Sequence, residues 1–345
     1  MIPPNAPKAG MPLKKKLLYL LGGIFLILVL AALLLPSDVD TTVSQEIKAP
    51  TNYVYNLLSN QQNAASWSSW VLDDKEMKLV YDKPTAGVGS GYSWTSPSSG
   101  DGSLVYTAMV PNQKLEAELL MQGSKSYYTI LLEKAGENKT MISWNFRSHM
   151  NFPMNLMGPV LKYIVNKQNK KSFDNIEAEI GRRLKGQYFG HAIKEGTQNA
   201  RHFATVRSTV GFDKIAQYYS QNLAAIYQKL QDEGLSSVGA PCALFYSYDE
   251  KKQQTDMAVA VPVLAPVSIS QLTSVSLPVQ NAAYVDYYGD PAQTASAHFG
   301  LDDYLKDRGY GQSVPVIEEY VTDPLKEKDP ARWLTKIYYY TAEKK

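Results

Sequence analysis

The chain has 345 residues, a formal net charge of +2 and one cysteine, Cys242, which excludes an intrachain disulfide framework and a cysteine-rich zinc site. Four lysines carry all the charge before residue 36, so the following residues have a net charge of −2 and lack the basic surface that nucleic-acid binding requires. Those lysines are Lys8, Lys14, Lys15 and Lys16. At about 150 residues per domain, the part after residue 35 is long enough for two domains.

An uncharged apolar run of 19 residues extends from Leu17 to Leu35. A helix of that length, at about 1.5 Å per residue, matches the hydrocarbon thickness of a bilayer. The run is longer than the core of a signal peptide and lacks a clean A-x-A cleavage site, which favours a retained transmembrane helix over residues 17–35. Lysines precede the run and acidic residues follow it. The positive-inside rule therefore predicts a cytoplasmic tail (residues 1–16) and extracytoplasmic domains. A cleaved signal peptide and a cytoplasm-facing anchor remain alternatives.

The residues after this run predict an α+β domain. A strand over residues 41–48 and a short helix over residues 53–60 precede four or five alternating segments between residues 77 and 149. A long helix follows, with an apolar stripe from Met157 to Leu184. One antiparallel sheet wrapped round one long helix leaves a space between the two.

The segments IKAPTNYVYNLLSN, WSSW and GVGSGYSW, followed by that helix, resemble the START-like helix-grip proteins, the SRPBCC or polyketide-cyclase superfamily. The resemblance covers residues 40–185 and implies an apolar cavity for a lipid, a polyketide or another hydrophobic ligand. The domain's single histidine, His149, is predicted to be structural. Four tryptophans are expected to be core residues or the cavity wall: Trp67, Trp70, Trp94 and Trp144.

Residues 186–199 are polar and contain glycine, which predicts a linker. Residues 200–342 hold an internal repeat of strand, helix, strand and strand. The repeat predicts a pseudo-symmetric α+β domain whose two sheets meet over a groove.

Comparison of the two copies singles out Glu318. Tyr246-x-x-Asp249 matches Tyr320-x-x-Asp323, and on this alignment Leu244 matches Glu318. A carboxylate at an otherwise apolar position departs from the pattern that builds the fold, and such departures are often functional. The alternative is that Glu318 and its neighbouring glutamate, residue 319, decorate an exposed strand.

The strings AAYVDYYGD, LDDYLKDRGYG and VIEEYVTDPLKEKDPARWLTKIYYY resemble the GyrI-like effector-binding fold, the ligand domain of multidrug-sensing and AraC-type transcription regulators. The resemblance implies that Glu318 lies in an aromatic pocket and meets cationic or electrophilic ligands. It also implies ligand-binding roles for aromatic residues of the same pattern: Tyr288, Tyr320, Trp333 and Tyr338. The regulators carry a helix-turn-helix ahead of this fold, whereas a helix-grip domain is predicted here, so DNA binding is not implied.

Three functions follow from these observations. The favoured one is a membrane-anchored binding protein with two small-molecule pockets, whose partners are hydrophobic or cationic molecules and the bilayer. A second is a hydrolase of strained or electrophilic molecules, with Glu318 as general base beside Tyr288 or Tyr338. A third is a structural envelope protein with filled cavities. His191 and His202 lack metal-ligand spacing and no G-x-S-x-G motif is present, so neither a metal nor a cofactor is predicted.

Overall fold

The computed structural model describes residues 12–82 and 84–343. The chain divides into two units at Glu179 and Ile180. Antiparallel sheets and seven helices make up the described residues. The predicted α+β class is confirmed.

Helix α1 (Leu13–Leu34) is the one helix in the described residues that is long and apolar enough to cross a membrane. Its length and composition fit a membrane span or a signal sequence equally. The helix starts before the predicted Leu17 because the lysines ahead of that residue are good helix formers. Of the predicted cytoplasmic tail, residues 1–11 lie outside the described residues.

The end of α1 is fixed within the first unit by Asn155. Its side-chain amide donates hydrogen bonds to the carbonyl oxygens of Ala32 (2.6 Å) and Leu35 (3.0 Å). Carbonyl groups at a helix C-terminus have no partner inside the helix, so Asn155 supplies one. Only 2% of Asn155 is exposed.

The first unit contains a seven-stranded antiparallel sheet and further helices. Its strands are β1 (Asp38–Ile47), β2 (Lys78–Tyr81), β3 (Gly91–Thr95), β4 (Gly102–Val110), β5 (Lys114–Met121), β6 (Ser124–Gly136) and β7 (Lys139–His149). The sheet order is β1-β7-β6-β5-β4-β3-β2. The helices are α2 (Thr51–Ser59), α3 (Ala64–Trp67), α4 (Ser69–Asp73) and the long α5 (Gly158–Leu184), whose last five residues belong to the second unit.

Helix α5 packs against the sheet beside β1 and β7. The ring of Phe173 lies 6.1 Å from that of Trp144 on β7, and Thr41 on β1 donates a hydrogen bond to Asn166 (2.9 Å). Phe173 and Ile176 are fully buried and lie on one side of the helix because they are three residues apart. The sheet and the long helix thus have the arrangement that the sequence predicts.

The second unit contains an eight-stranded sheet and two long helices. Its elements are β8 (Gln187–Tyr188), β9 (His191–Ala192), β10 (Lys194–Gln198), β11 (Arg201–Gly211), α6 (Ile215–Asp232), β12 (Cys242–Asp249), β13 (Gln254–Val263), β14 (Thr273–Leu277), β15 (Gln280–Tyr288), α7 (Ala295–Arg308), β16 (Gly311–Tyr320) and β17 (Leu334–Ala342). The predicted linker, residues 186–199, instead forms β8, β9 and β10, and β10 pairs with β15. Its polar composition reflects short strands at an edge, which water can solvate.

The expectation of two separate sheets is wrong. The order β10-β15-β17-β16-β12-β13-β11-β14 forms one sheet, because β12 pairs directly with β16 and places Ala243 opposite Glu318. Tyr219 on α6 and His298 on α7 contact neighbouring side chains on the same face of β16. Both helices therefore cover one face of the sheet.

Helix α7 is held in place by a buried charge cluster. Arg183 at the end of α5 donates hydrogen bonds to Asp303 (2.8 Å) and Asp307 (3.3 Å), and both carboxylates are buried. The hydroxyl of Tyr188 donates to Asp307 as well (3.0 Å). This cluster fixes the helix that carries His298.

We predict that Arg183→Ala destabilises α7, because two buried carboxylates would lose their cation. The expected cost is about 3–5 kcal/mol in the free energy of opening of the α7 amides, measured by native-state hydrogen exchange. The exposed Lys185, two residues further along, provides the control: Lys185→Ala should change this free energy by less than about 0.5 kcal/mol. Equal exchange in the two variants would contradict the assignment.

Candidate functional site

Glu318 is a buried carboxylate on the helix-covered face of the second sheet. Its side chain is 8% exposed. Side chains alternate along a strand, so Tyr320 shares this face and Glu319 lies on the other. The alternative of an exposed strand position does not hold for Glu318.

Both oxygens of Glu318 have hydrogen-bond partners. Nε2 of His298 lies 2.7 Å from Oε1, and the hydroxyl of Thr294 lies 3.5 Å from the same oxygen. The hydroxyl of Tyr320 donates to Oε2 at 2.7 Å. An ionised carboxylate can only accept hydrogen bonds, so Nε2 of His298 is the donor in that state. These bonds replace the contacts with water that the buried carboxylate lacks.

Other residues contact His298 on the Nδ1 side of its ring, away from Glu318. Its Nδ1 lies 3.0 Å from the hydroxyl of Tyr339, whose pKa is raised by burial and then by the charge of nearby Asp302. Thr294, His298 and Asp302 are spaced by four residues, so they form one polar stripe along α7. The imidazole therefore sits between the buried Glu318 and a second carboxyl group near the surface.

Two aromatic rings pack on one side of this carboxylate. The ring of Tyr219, from α6, meets that of Tyr320 edge-on at 5.0 Å. The buried hydroxyl of Tyr219 has no hydrogen-bond partner among the described residues. Burial raises the pKa of Tyr219, and burial followed by the charge of Glu318 raises the pKa of Tyr320 well above its usual value. The phenols therefore stay protonated and can act as donors.

Of the aromatic residues predicted beside Glu318, the structure brings only Tyr320 into contact with it. Tyr338 lies on the opposite face, where its hydroxyl donates to Glu319 (3.1 Å), because it alternates with the buried Ile337 and Tyr339 of the helix-covered face. Tyr288 is 61% exposed and likewise alternates with a residue of that cluster. Trp333 precedes β17 and donates its indole N–H to the carbonyl of residue 327 (2.9 Å).

The match of Leu244 with Glu318 is also wrong. Leu244 packs with Tyr338 on the face opposite Glu318, whereas Ala243 lies on the helix-covered face. A bulge around Tyr246 shifts the register of β12 against β13 by one residue. An alignment anchored on the residues from Tyr246 onward therefore assigns the preceding residues to the wrong face.

The opposite face carries a different cluster. Arg201 donates to Glu319 at 2.9 Å and lies 3.5 Å from the sulfur of Cys242. Burial raises the pKa of Cys242 to about 12. A thiol that stays protonated at neutral pH is a poor nucleophile, so this cysteine is a core residue.

The four tryptophans of the first unit occupy two kinds of environment. Trp67, Trp94 and Trp144 are each at least nine-tenths buried, and the rings of Trp67 and Trp144 lie 5.8 Å apart. Trp70 is half-buried and lines a surface cleft of about 400 Å³. The indole N–H groups of Trp67, Trp70 and Trp144 have no hydrogen-bond partner in the described part of the chain. The cavity wall remains a prediction for all four.

Four residues near Glu318 are not predicted as site residues from the sequence: His298, Tyr339, Asp302 and Tyr219. The sequence carries a signal for two of them, because His298 and Asp302 are spaced by four residues, together with Thr294, along a predicted helix. Across residues 12–82 and 84–343, no group of three or more His, Cys, Asp and Glu side chains could hold a metal ion. His149 is exposed at the end of β7, and its hydrogen bond with Asp38 (2.7 Å) raises its pKa.

Comparison with known proteins found neither a matching protein-family model nor a matching curated sequence. Solved structures show partial likeness. The EcmrR C-terminal domain is 17% identical and covers 44% of this chain and 98% of its own, with a TM-score of 0.41. Norcoclaurine synthase from Thalictrum flavum is 15% identical and covers 41% of this chain and 93% of its own, with a TM-score of 0.35. Protein CV1439 from Chromobacterium violaceum is 14% identical and covers 41% and 96%, with a TM-score of 0.31. The fold described above rests on the strand pairing and helix packing of this chain.

We predict that Tyr320→Phe destabilises the second unit by about 1.5–3 kcal/mol, because one oxygen of the buried Glu318 loses its donor. Urea denaturation that is monitored by hydrogen exchange of the β16 amides measures this change in the free energy of unfolding. The hydroxyl of the exposed Tyr288 provides the matched control, since Tyr288→Phe should change the free energy of unfolding by less than about 0.5 kcal/mol. An effect of Tyr320→Phe no larger than that of the control would show that this hydrogen bond does not hold the carboxylate.

Proposed function

We propose that this chain is a membrane-anchored small-molecule binding protein whose second unit binds lipophilic cations at Glu318. The observation that carries the proposal is a buried carboxylate that accepts a hydrogen bond from Tyr320, with Tyr219 packed against that ring and Tyr339 close by. Burying a charge is costly, and folds retain such groups where a function uses them. A cation at this position would gain the carboxylate charge and aromatic ring faces worth about 0.5–2 kcal/mol each.

The first unit is proposed to bind a hydrophobic molecule between its sheet and α5. The buried aromatic cluster of Trp67, Trp144 and Phe173 supports this, since rings of this size provide a large apolar contact area. The unpaired indole N–H groups support a ligand with an oxygen acceptor, because buried indoles usually find a partner. The alternative of an interior filled only by side chains predicts no ligand here.

The proposed anchor is α1, with the two units outside the cytoplasm. Support comes from the charges at its ends: three lysines lie in its first turn, and Asp38 and Asp40 follow it. The order β11-α6-β12-β13 followed by β15-α7-β16-β17 supports a duplicated origin for the second unit.

A hydrolase is the second candidate, and one observation favours it. Glu318, His298 and Tyr339 form a continuous hydrogen-bonded chain. A buried general base must pass its proton on after taking it from water, and such a chain offers the route. This version uses His298 and Tyr320 in place of Tyr288 and Tyr338. Turnover of a strained ester that is lost in Glu318→Gln would support it, whereas binding without product would support the binding protein.

We predict that benzyltrimethylammonium raises the thermal stability of the full-length protein in detergent and does not raise that of Glu318→Gln. A ligand at one hundred times its dissociation constant stabilises the folded state by about 2.7 kcal/mol. Glu319→Gln removes a neighbouring carboxylate on the opposite face and should leave the shift intact. A shift that survives in Glu318→Gln, or is lost in Glu319→Gln alone, would contradict the proposed site.

A further inference from the structure

The imidazole of His298 occupies the position on Glu318 that a cationic ligand would take. Its Nε2 lies 2.7 Å from Oε1, while Tyr320 and Thr294 supply the remaining donors. Glu318 therefore has no oxygen without a donor in this structure. A ligand that pairs with this carboxylate must first remove one of these partners.

We propose that His298 is the internal occupant of the cation site, and that a ligand binds only when this side chain turns away from Glu318. The proposal rests on the proposed cation-binding function of Glu318. It makes His298 the residue that determines which ligands bind and at which pH.

His298 is the partner of Glu318 best placed to move. Its side chain is 22% exposed, whereas that of Glu318 is 8% exposed. Thr294 is buried, and Tyr320 lies on the same strand as Glu318, so their side chains have less freedom. The imidazole borders the surface and can rotate towards it.

The carboxylate of Asp302 is a second hydrogen-bond acceptor that the displaced imidazole of His298 could reach. Asp302 lies one turn further along α7, on the same side of the helix and at the protein surface. Its charge lies close enough to interact with both His298 and Tyr339, and these two side chains are hydrogen bonded to each other. His298 can thus exchange one carboxylate partner for another when a cation replaces it on Glu318.

Replacement of His298 by a ligand at Glu318 favours ligands that carry a positive charge. A neutral molecule without an N–H or O–H donor that displaced His298 would leave the buried charge of Glu318 without a compensating partner, which is strongly unfavourable. A cation brings a positive charge to Glu318 and compensates the carboxylate electrostatically in place of the imidazole. Neutral molecules of the same shape are therefore excluded by the cost of desolvation.

The same competition gives the site a pH dependence. The ionisable groups around His298 are Glu318 and Tyr320 on β16, Tyr339 on β17, Asp302 on α7 and, beyond Tyr320, Tyr219 on α6. Burial keeps the tyrosines protonated. A protonated imidazole binds Glu318 more strongly than a neutral one, so it competes better with a cation at low pH. Affinity for a cation should therefore rise with pH.

The ionisation of Asp302 needs its own control. Desolvation of its carboxyl raises the pKa of Asp302 to about 6. Asp302→Asn removes that ionisation and leaves His298 in place. His298→Ala removes the competing imidazole and leaves Asp302.

The test is calorimetric titration of the full-length protein in detergent with benzyltrimethylammonium between pH 5.5 and 8. The charge of this probe does not change with pH. In the parent protein the affinity should rise with pH, by no more than about tenfold per pH unit, because one proton is displaced per ligand. His298→Ala should bind about fivefold or more tightly at pH 5.5 and lose most of the pH dependence. Tyr339→Phe, which loosens the imidazole without opening space, should give a smaller gain.

The outcomes separate this inference from the function on which it rests. Binding to the parent with the same affinity and pH dependence in His298→Ala would overturn the role of His298 and leave the cation site standing. Weaker binding in His298→Ala would also overturn it, since His298 would then assist the ligand. A pH dependence lost in Asp302→Asn and kept in His298→Ala would assign it to Asp302 and contradict the proposal. Absence of binding in the parent and in His298→Ala would overturn the cation site itself.

Discussion

The negative charge of Glu318, held where little water reaches it, is the constraint on which the second unit depends. A buried carboxylate is tolerated only when hydrogen-bond donors replace the water that it has lost. Tyr320 supplies one donor from the same strand, and His298 supplies another from α7. The pairing of β12 with β16 sets Glu318 in the centre of the sheet, where both helices of the unit cover it.

That arrangement requires α7 to stay in register with the sheet. Arg183, buried between Asp303 and Asp307, holds the helix on the side away from Glu318. Charged contacts therefore hold α7 at both ends. Arg183 of α5 contacts its C-terminal half, and His298 near its N-terminus contacts Glu318. A helix fixed at one end can still let a single side chain rotate at the other, which is what displacement of His298 by a cation would require.

Much of the fold can be predicted from periodic patterns of apolar residues in the sequence. The apolar run ending at Leu35, the alternating segments before His149 and the stripe on α5 each predict their element, because burial imposes a period on the sequence. The pairing of β12 with β16 could not be read in this way, since no local pattern encodes which strands meet. The bulge at Tyr246 misaligned Leu244 with Glu318, because one extra residue reverses the face of every residue on one side of it. His298 was missed because its role depends on a strand twenty residues away.

The most direct test of this account is a double-mutant cycle between Glu318 and His298, with the free energy of unfolding measured for the parent, Glu318→Gln, His298→Gln and the double variant. If the imidazole compensates the buried carboxylate, the two substitutions should be non-additive, with a coupling energy of about 1–3 kcal/mol. Additive effects, with a coupling below about 0.5 kcal/mol, would contradict the central claim that His298 occupies the charge site of Glu318.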